Sequence, residues 1–148
     1  MSEFFLQVSR NRILMTTLLA WVLAQVIKVT IGVIKNKRFD FRWLMSSGGM
    51  PSSHAAGASA LASSIGLEAG WSSIYFALAA SFAIVVMFDA QGVRRATGKQ
   101  AQILNKSTDD IYWQGKIQED RLRELVGHTP VEVLIGMILG IAIAILRY

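Results

Sequence analysis

The chain holds two histidines, His54 and His128, each beside residues suited to catalytic work. His54 lies in Gly48-Gly49-Met50-Pro51-Ser52-Ser53-His54-Ala55-Ala56-Gly57, where glycines and a proline run into an Ala/Ser/Gly segment. Proline is favoured at the first helical position, so the stretch predicts a helix starting near Pro51. Ser52, Ser53 and His54 then fall in its first turn. The unpaired N–H groups and positive dipole end of such a turn attract anions, phosphate above all. Two hydroxyls and an imidazole there describe either a phosphate pocket with an acid–base group or a plain cap with a surface histidine. His128 is followed one helical turn later by Glu132, so the carboxylate can hold the imidazole by its N–H. An imidazole oriented in this way has a fixed tautomer and serves as nucleophile or base. Glu132 also suits a helix start as a dipole-favoured acid, while an ionisable group just inside an apolar span is a functional candidate.

The elements that must position these residues are membrane helices. Of 148 residues, 53% are hydrophobic, and the mean hydropathy is +0.42. Long uncharged runs with that composition indicate a membrane protein. The expected architecture is one all-α domain over 1–148, an integral membrane four-helix bundle. Its crossings fall at about 13–34, 51–69, 71–88 and 129–147, with polar segments at 35–50 and 91–127. The second crossing is built of Ala, Ser and Gly, which let membrane helices approach closely, so it should be the central one. Thr129-Pro130 is an N-cap and first-position pair for the fourth, which carries Gly136-x-x-x-Gly140, a helix-packing pattern. Met1 to Arg12 carries Glu3 and no small-residue cleavage site, so the first apolar run reads as a retained anchor. With no Cys, disulfides, thiolate metal sites and cysteine nucleophiles are excluded.

The net charge of +5 is not spread as a nucleic-acid binder would have it. Lys35, Lys37, Arg38 and Arg42 fill one polar segment, and Arg94, Arg95, Lys99, Lys106, Lys116, Arg121 and Arg123 the other. The termini and far turn hold only Arg10, Arg12 and Arg147. The positive-inside rule therefore sets both polar segments in the cytoplasm of a multi-pass cell-membrane protein, the longer one lying between helices 3 and 4. Both histidines start crossings on that face. Lys28 interrupts the first crossing, either snorkelling to the head groups or facing inward in a functional role. Arg binds phosphate through paired hydrogen bonds and Lys as a point charge, so these cations around two imidazoles point to phosphoryl transfer. There is no Walker loop, acidic metal pair or zinc ligand set, so neither metal nor cofactor is expected.

These residues resemble the type 2 phosphatidic acid phosphatase superfamily, and more closely its small divergent branch of membrane proteins. Pro51-Ser52-Ser53-His54 is similar to the superfamily's Pro-Ser-Gly-His motif, with Ser53 for Gly. His128-x-x-x-Glu132 resembles the end of its third motif, with Glu for Asp. Lys35 and Arg42 have the spacing of the first motif, with Trp43 in place of its Pro; Lys28 competes for the Lys role. Leu122 stands where the third motif has Arg, and that role passes to Arg94 or Arg95. The resemblance implies a lipid-phosphate or prenyl-phosphate phosphatase working without metal. His128 would be the nucleophile, Glu132 its orienter and His54 the acid–base group. Lys28 or Lys35, Arg42, Ser52, Ser53, and Arg94 or Arg95 would hold the phosphate. The implied partners are a lipid phosphate and membrane lipids, with no nucleic acid. Four helices are fewer than the six of larger relatives, which leaves room for a homodimer to complete the pocket wall. The competing expectation is a non-catalytic membrane module binding phospholipid head groups or a partner protein, which the altered motifs favour.

Overall fold

Residues 2–37, 49–92, 96, 98, 100–105 and 127–148 are described in a computed structural model of the chain. Arg42, Arg94 and Arg95 lie outside the described residues, as does most of the 91–127 segment. Among the described residues there is no strand, and five helices can be followed from end to end. These are α1 (Ser2–Arg10), α2 (Arg12–Asn36), α3 (Ser53–Ala69), α4 (Ile74–Gln91) and α5 (Pro130–Arg147). Three of them, α2, α4 and α5, are long and apolar enough to cross a membrane.

The helix boundaries follow local capping. Asn11 adopts an extended backbone and its side-chain oxygen accepts from the Leu14 N–H at 3.0 Å, which separates α1 from α2. The sequence reading did not foresee α1. The expected start of α3 at Pro51 moves to Ser53, because Ser52 is extended and its hydroxyl accepts from the Ala55 N–H. A capping hydroxyl outcompetes proline pre-organisation here. Likewise α4 starts at Ile74 rather than near Trp71. The Ser73 hydroxyl accepts from the Phe76 N–H at 3.2 Å and donates to the Gly70 carbonyl at 2.7 Å. The start of α2 falls within one residue of the expected 13, and α5 begins where the sequence set it, with Thr129 as cap, Pro130 in the first turn and Glu132 closing a capping box.

Helix α3 is the axis. It packs against α2, α4 and α5, and most of its residues are buried. Ala58 and Ala62 meet Ala79 and Ala83 of α4, while Ala60 meets Ala20 of α2 and Ile143 of α5. Alanine at these positions brings backbones close, which is how helices associate where no water drives them together. Gly136 and Gly140 take this furthest. A Cβ on Gly136 would strike the Ser52 carbonyl, and one on Gly140 the Ala56 carbonyl. The Gly-x-x-x-Gly pattern is thus the seam between α5 and the first turns of α3. Outward-facing Val26, Leu78, Phe88 and Ile138 are exposed and suit contact with lipid.

Candidate functional site

At one end of the bundle, the start of α3, the end of α4 and the start of α5 converge. Two main-chain hydrogen bonds knit them. The Ser52 N–H donates to the Glu132 carbonyl at 3.0 Å, and the His128 N–H donates to the Ala90 carbonyl at 2.9 Å. Gly127 reaches His128 with a φ of +113°, a conformation that favours glycine. Beneath this junction Ala55, Ala90 and Val133 form an apolar floor.

His128 is almost wholly buried, 2% exposed, and its Nδ1 lies 3.2 Å from Glu132 Oε2. The same carboxylate oxygen accepts the Thr129 N–H at 3.0 Å. Glu132 therefore fills both of the roles that the sequence left open: it caps the helix and it holds the imidazole. With a shared proton on Nδ1, the lone pair of His128 is on Nε2. The His54 ring, half-buried on the first turn of α3, stands with its centroid 6.1 Å from that of His128, the planes inclined by 62°. Two imidazoles at this separation can act on one anion, one through a nitrogen lone pair and the other through an N–H.

Not every candidate joins that junction. Ser52 and Ser53 are buried, but the Ser52 hydroxyl is taken up in capping α3. Lys28 is 7% exposed, so it faces inward rather than snorkelling. Its side chain runs against Gly49, and its charge is close enough to interact with Glu132. Lys28 and Lys35 line a cavity of about 400 Å³ of mixed character, with Asn36, Thr129 and Glu132 beside Ile31, Met50 and Val131. Neither imidazole lines that cavity; Glu132 is the link between the lysines and His128. A second hollow, apolar and about 470 Å³, has His54 at its head. The sequence reading had Thr129 as a helix cap but not as the N–H that fixes the carboxylate, and it missed Trp21 and Val86, which wall the apolar hollow. The Thr-Pro-x-Glu capping pattern could have revealed that contact, but nothing in the local sequence marks the walls.

The similarity to known proteins covers nearly the whole chain. The family described as Divergent PAP2 family matches residues 9–143. The chain belongs to that family. It is also 41% identical over 143 residues to the uncharacterized membrane protein YuiD of Bacillus subtilis (strain 168), covering 89% of this chain and 90% of that protein. No solved structure matches it. The protein is a membrane protein related to the type 2 phosphatidic acid phosphatases.

Proposed function

We propose that the protein is a membrane-embedded lipid-phosphate phosphatase. The observation that carries this reading is the pairing of His54 with a buried His128 that Glu132 holds through Nδ1. His128 Nε2 attacks phosphorus, a P–N bond forms, and the P–O bond to the lipid alcohol breaks. His54 donates its proton to the departing oxygen, releasing the neutral alcohol. The same imidazole, now neutral, takes a proton from water as the water attacks the phosphohistidine. Inorganic phosphate leaves and His128 is regenerated. Lys28 and Lys35, with Arg42 and Arg94 or Arg95, supply positive charge to the phosphate oxygens, Ser52 and Ser53 contributing from the start of α3. In this reading α3 is a fourth crossing, and the site faces the cytoplasm in a cell-membrane protein with the 91–127 segment on the same side.

A second reading rests on the lysine cavity. Because it opens beside Glu132 and not beside either imidazole, a module that only binds phospholipid head groups fits Lys28 and Lys35 equally well. One assay separates the two. Purified protein is offered a panel of lipid phosphates without added metal, and phosphate release is measured for wild type, His128→Ala and His54→Ala. Release abolished in both variants supports the phosphatase. Head-group binding without any release supports the module. Orientation is tested by Lys37→Cys at the exposed end of α2, which should resist impermeant thiol reagents in intact cells.

A further inference from the structure

His54 stands at the head of an apolar groove that the reaction proposed above leaves unused. The groove lies on α3, with Gly57 and Ala58 in its floor, Trp21 of α2 on one wall, and Phe82 and Val86 of α4 on the other. Small floor residues keep it deep. Its two walls belong to helices that make no direct contact with each other among the described residues, so it opens sideways to the bilayer. From His54 to Leu61, its furthest residue on α3, the helix axis descends about 10 Å into the apolar zone. The lining is nearly all hydrocarbon: Ser53 and His54 stand at one end, and the hydroxyl of Thr17, nearer the other, donates to the Ile13 carbonyl at 2.9 Å. That arrangement matches a molecule with a charged head and a hydrocarbon tail.

The other hollows differ in chemistry. The lysine cavity is mixed, with two lysines and Glu132 among apolar residues, and lies at the end of α2. A smaller apolar groove of about 370 Å³ lies between α4 and α5, lined by Met87, Phe88 and Leu134 among others, and no histidine borders it. Of these three hollows among the described residues, the α2–α4 groove is the one that His54 borders. We propose that the α2–α4 groove receives the hydrocarbon chain of a single-chain lipid phosphate, its phosphate lying at His54. One-chain phosphates are therefore the preferred substrates over two-chain phospholipid phosphates. This inference rests on the phosphatase reading and narrows its substrate class.

The test uses the full chain in phosphatidylcholine nanodiscs. Dodecyl phosphate and lysophosphatidate are compared with phosphatidate at equal mole fraction, and phenyl phosphate serves as a soluble substrate without a chain. The expected kcat/KM is about tenfold or more higher for the one-chain phosphates, the scale that a fitted apolar pocket gives. Val86→Trp fills the groove and should lower turnover of the one-chain phosphates about tenfold while leaving phenyl phosphate unchanged. Leu134→Trp, in the other groove, should alter neither. Phosphatidate turned over as well as dodecyl phosphate, or Val86→Trp without effect on chain-bearing substrates, overturns the proposal. No release even from phenyl phosphate would count against the phosphatase reading instead. The groove is then judged by cross-linking with a dodecyl phosphate carrying a diazirine at its chain end. Label on Leu18, Trp21, Phe82 or Leu61 supports the chain site, and label confined elsewhere overturns it.

Discussion

At the histidine end, neighbouring helices are joined by main-chain hydrogen bonds, Ser52 to Glu132 and His128 to Ala90. At the opposite end they are joined by side chains. Arg12 donates to the Arg147 carbonyl at 2.7 Å and lies 4.6 Å from the centre of the Tyr148 ring, while Glu68 lies near the Tyr148 hydroxyl. The first set is buried and geometrically unforgiving. The second is exposed, and each contact of that kind contributes little on its own. The difference separates two tasks: one end holds the two imidazoles to fixed distances, and the other closes the bundle.

The largest expected effect breaks the chemistry while sparing the frame. His128→Ala should lower phosphate release by at least about 10³-fold with little change in melting temperature. Loss of folding instead would mean that the buried imidazole is structural. Glu132→Gln comes next, at roughly 10²-fold, because an amide can keep the Thr129 contact yet stabilises a charged imidazole poorly. Equal rates for that variant and wild type would remove Glu132 as the orienting group.

Two glycines sharpen the comparison on the stability side. Gly136→Ala drives a Cβ into the Ser52 carbonyl, and backbone cannot step aside, so a cost of about 1–3 kcal/mol is expected, with activity lost as well. Gly66→Ala meets only the Trp71 ring, which is exposed and can turn away. Thermal unfolding should show the smaller loss for Gly66→Ala, below about 1 kcal/mol. The reverse order would mean that α3 and α5 can slide apart.

The smallest effect is at Tyr148. Partial burial, then the hydrogen bond and negative charge of Glu68, raise its pKa above the ordinary 10.0 despite opposing Arg12 and Arg147. A raised pKa means that the folded state favours the protonated phenol. Its contribution is complete below pH 10.0 and is lost as pH rises through the folded value. Tyr148→Phe should therefore flatten the alkaline fall in melting temperature and leave phosphate release unchanged. An unaltered alkaline slope would show that the clasp does not titrate in this way.

The legible parts of the molecule were those written in short-range spacing. His128 and Glu132 are one turn apart on one element, and Thr129-Pro130 announces that element's start, so both their contact and the beginning of α5 could be read directly. The closeness of His54 to His128 depends on how α3 packs on α5; charge asymmetry set both at the same face in advance, but their separation of 6.1 Å could not be read from the sequence. The Ala/Ser/Gly make-up of α3 did point to its central place. Where two local signals competed, the stronger one was not evident from sequence: Ser52 against Pro51, and Ser73 against Trp71. Lys28 was ambiguous because facing inward or outward is decided by the neighbours of α2, Gly49 among them, and not by α2 itself.

The hydrogen bonds that fix the histidine end run between peptide groups, which every residue except proline carries in full. Ser52 could change its side chain without losing the link to Glu132, and Ala90 offers its carbonyl whatever follows its Cα. Residues lining the hollows can therefore be exchanged without cutting these links, so the spacing of the two imidazoles does not depend on the side chains around them.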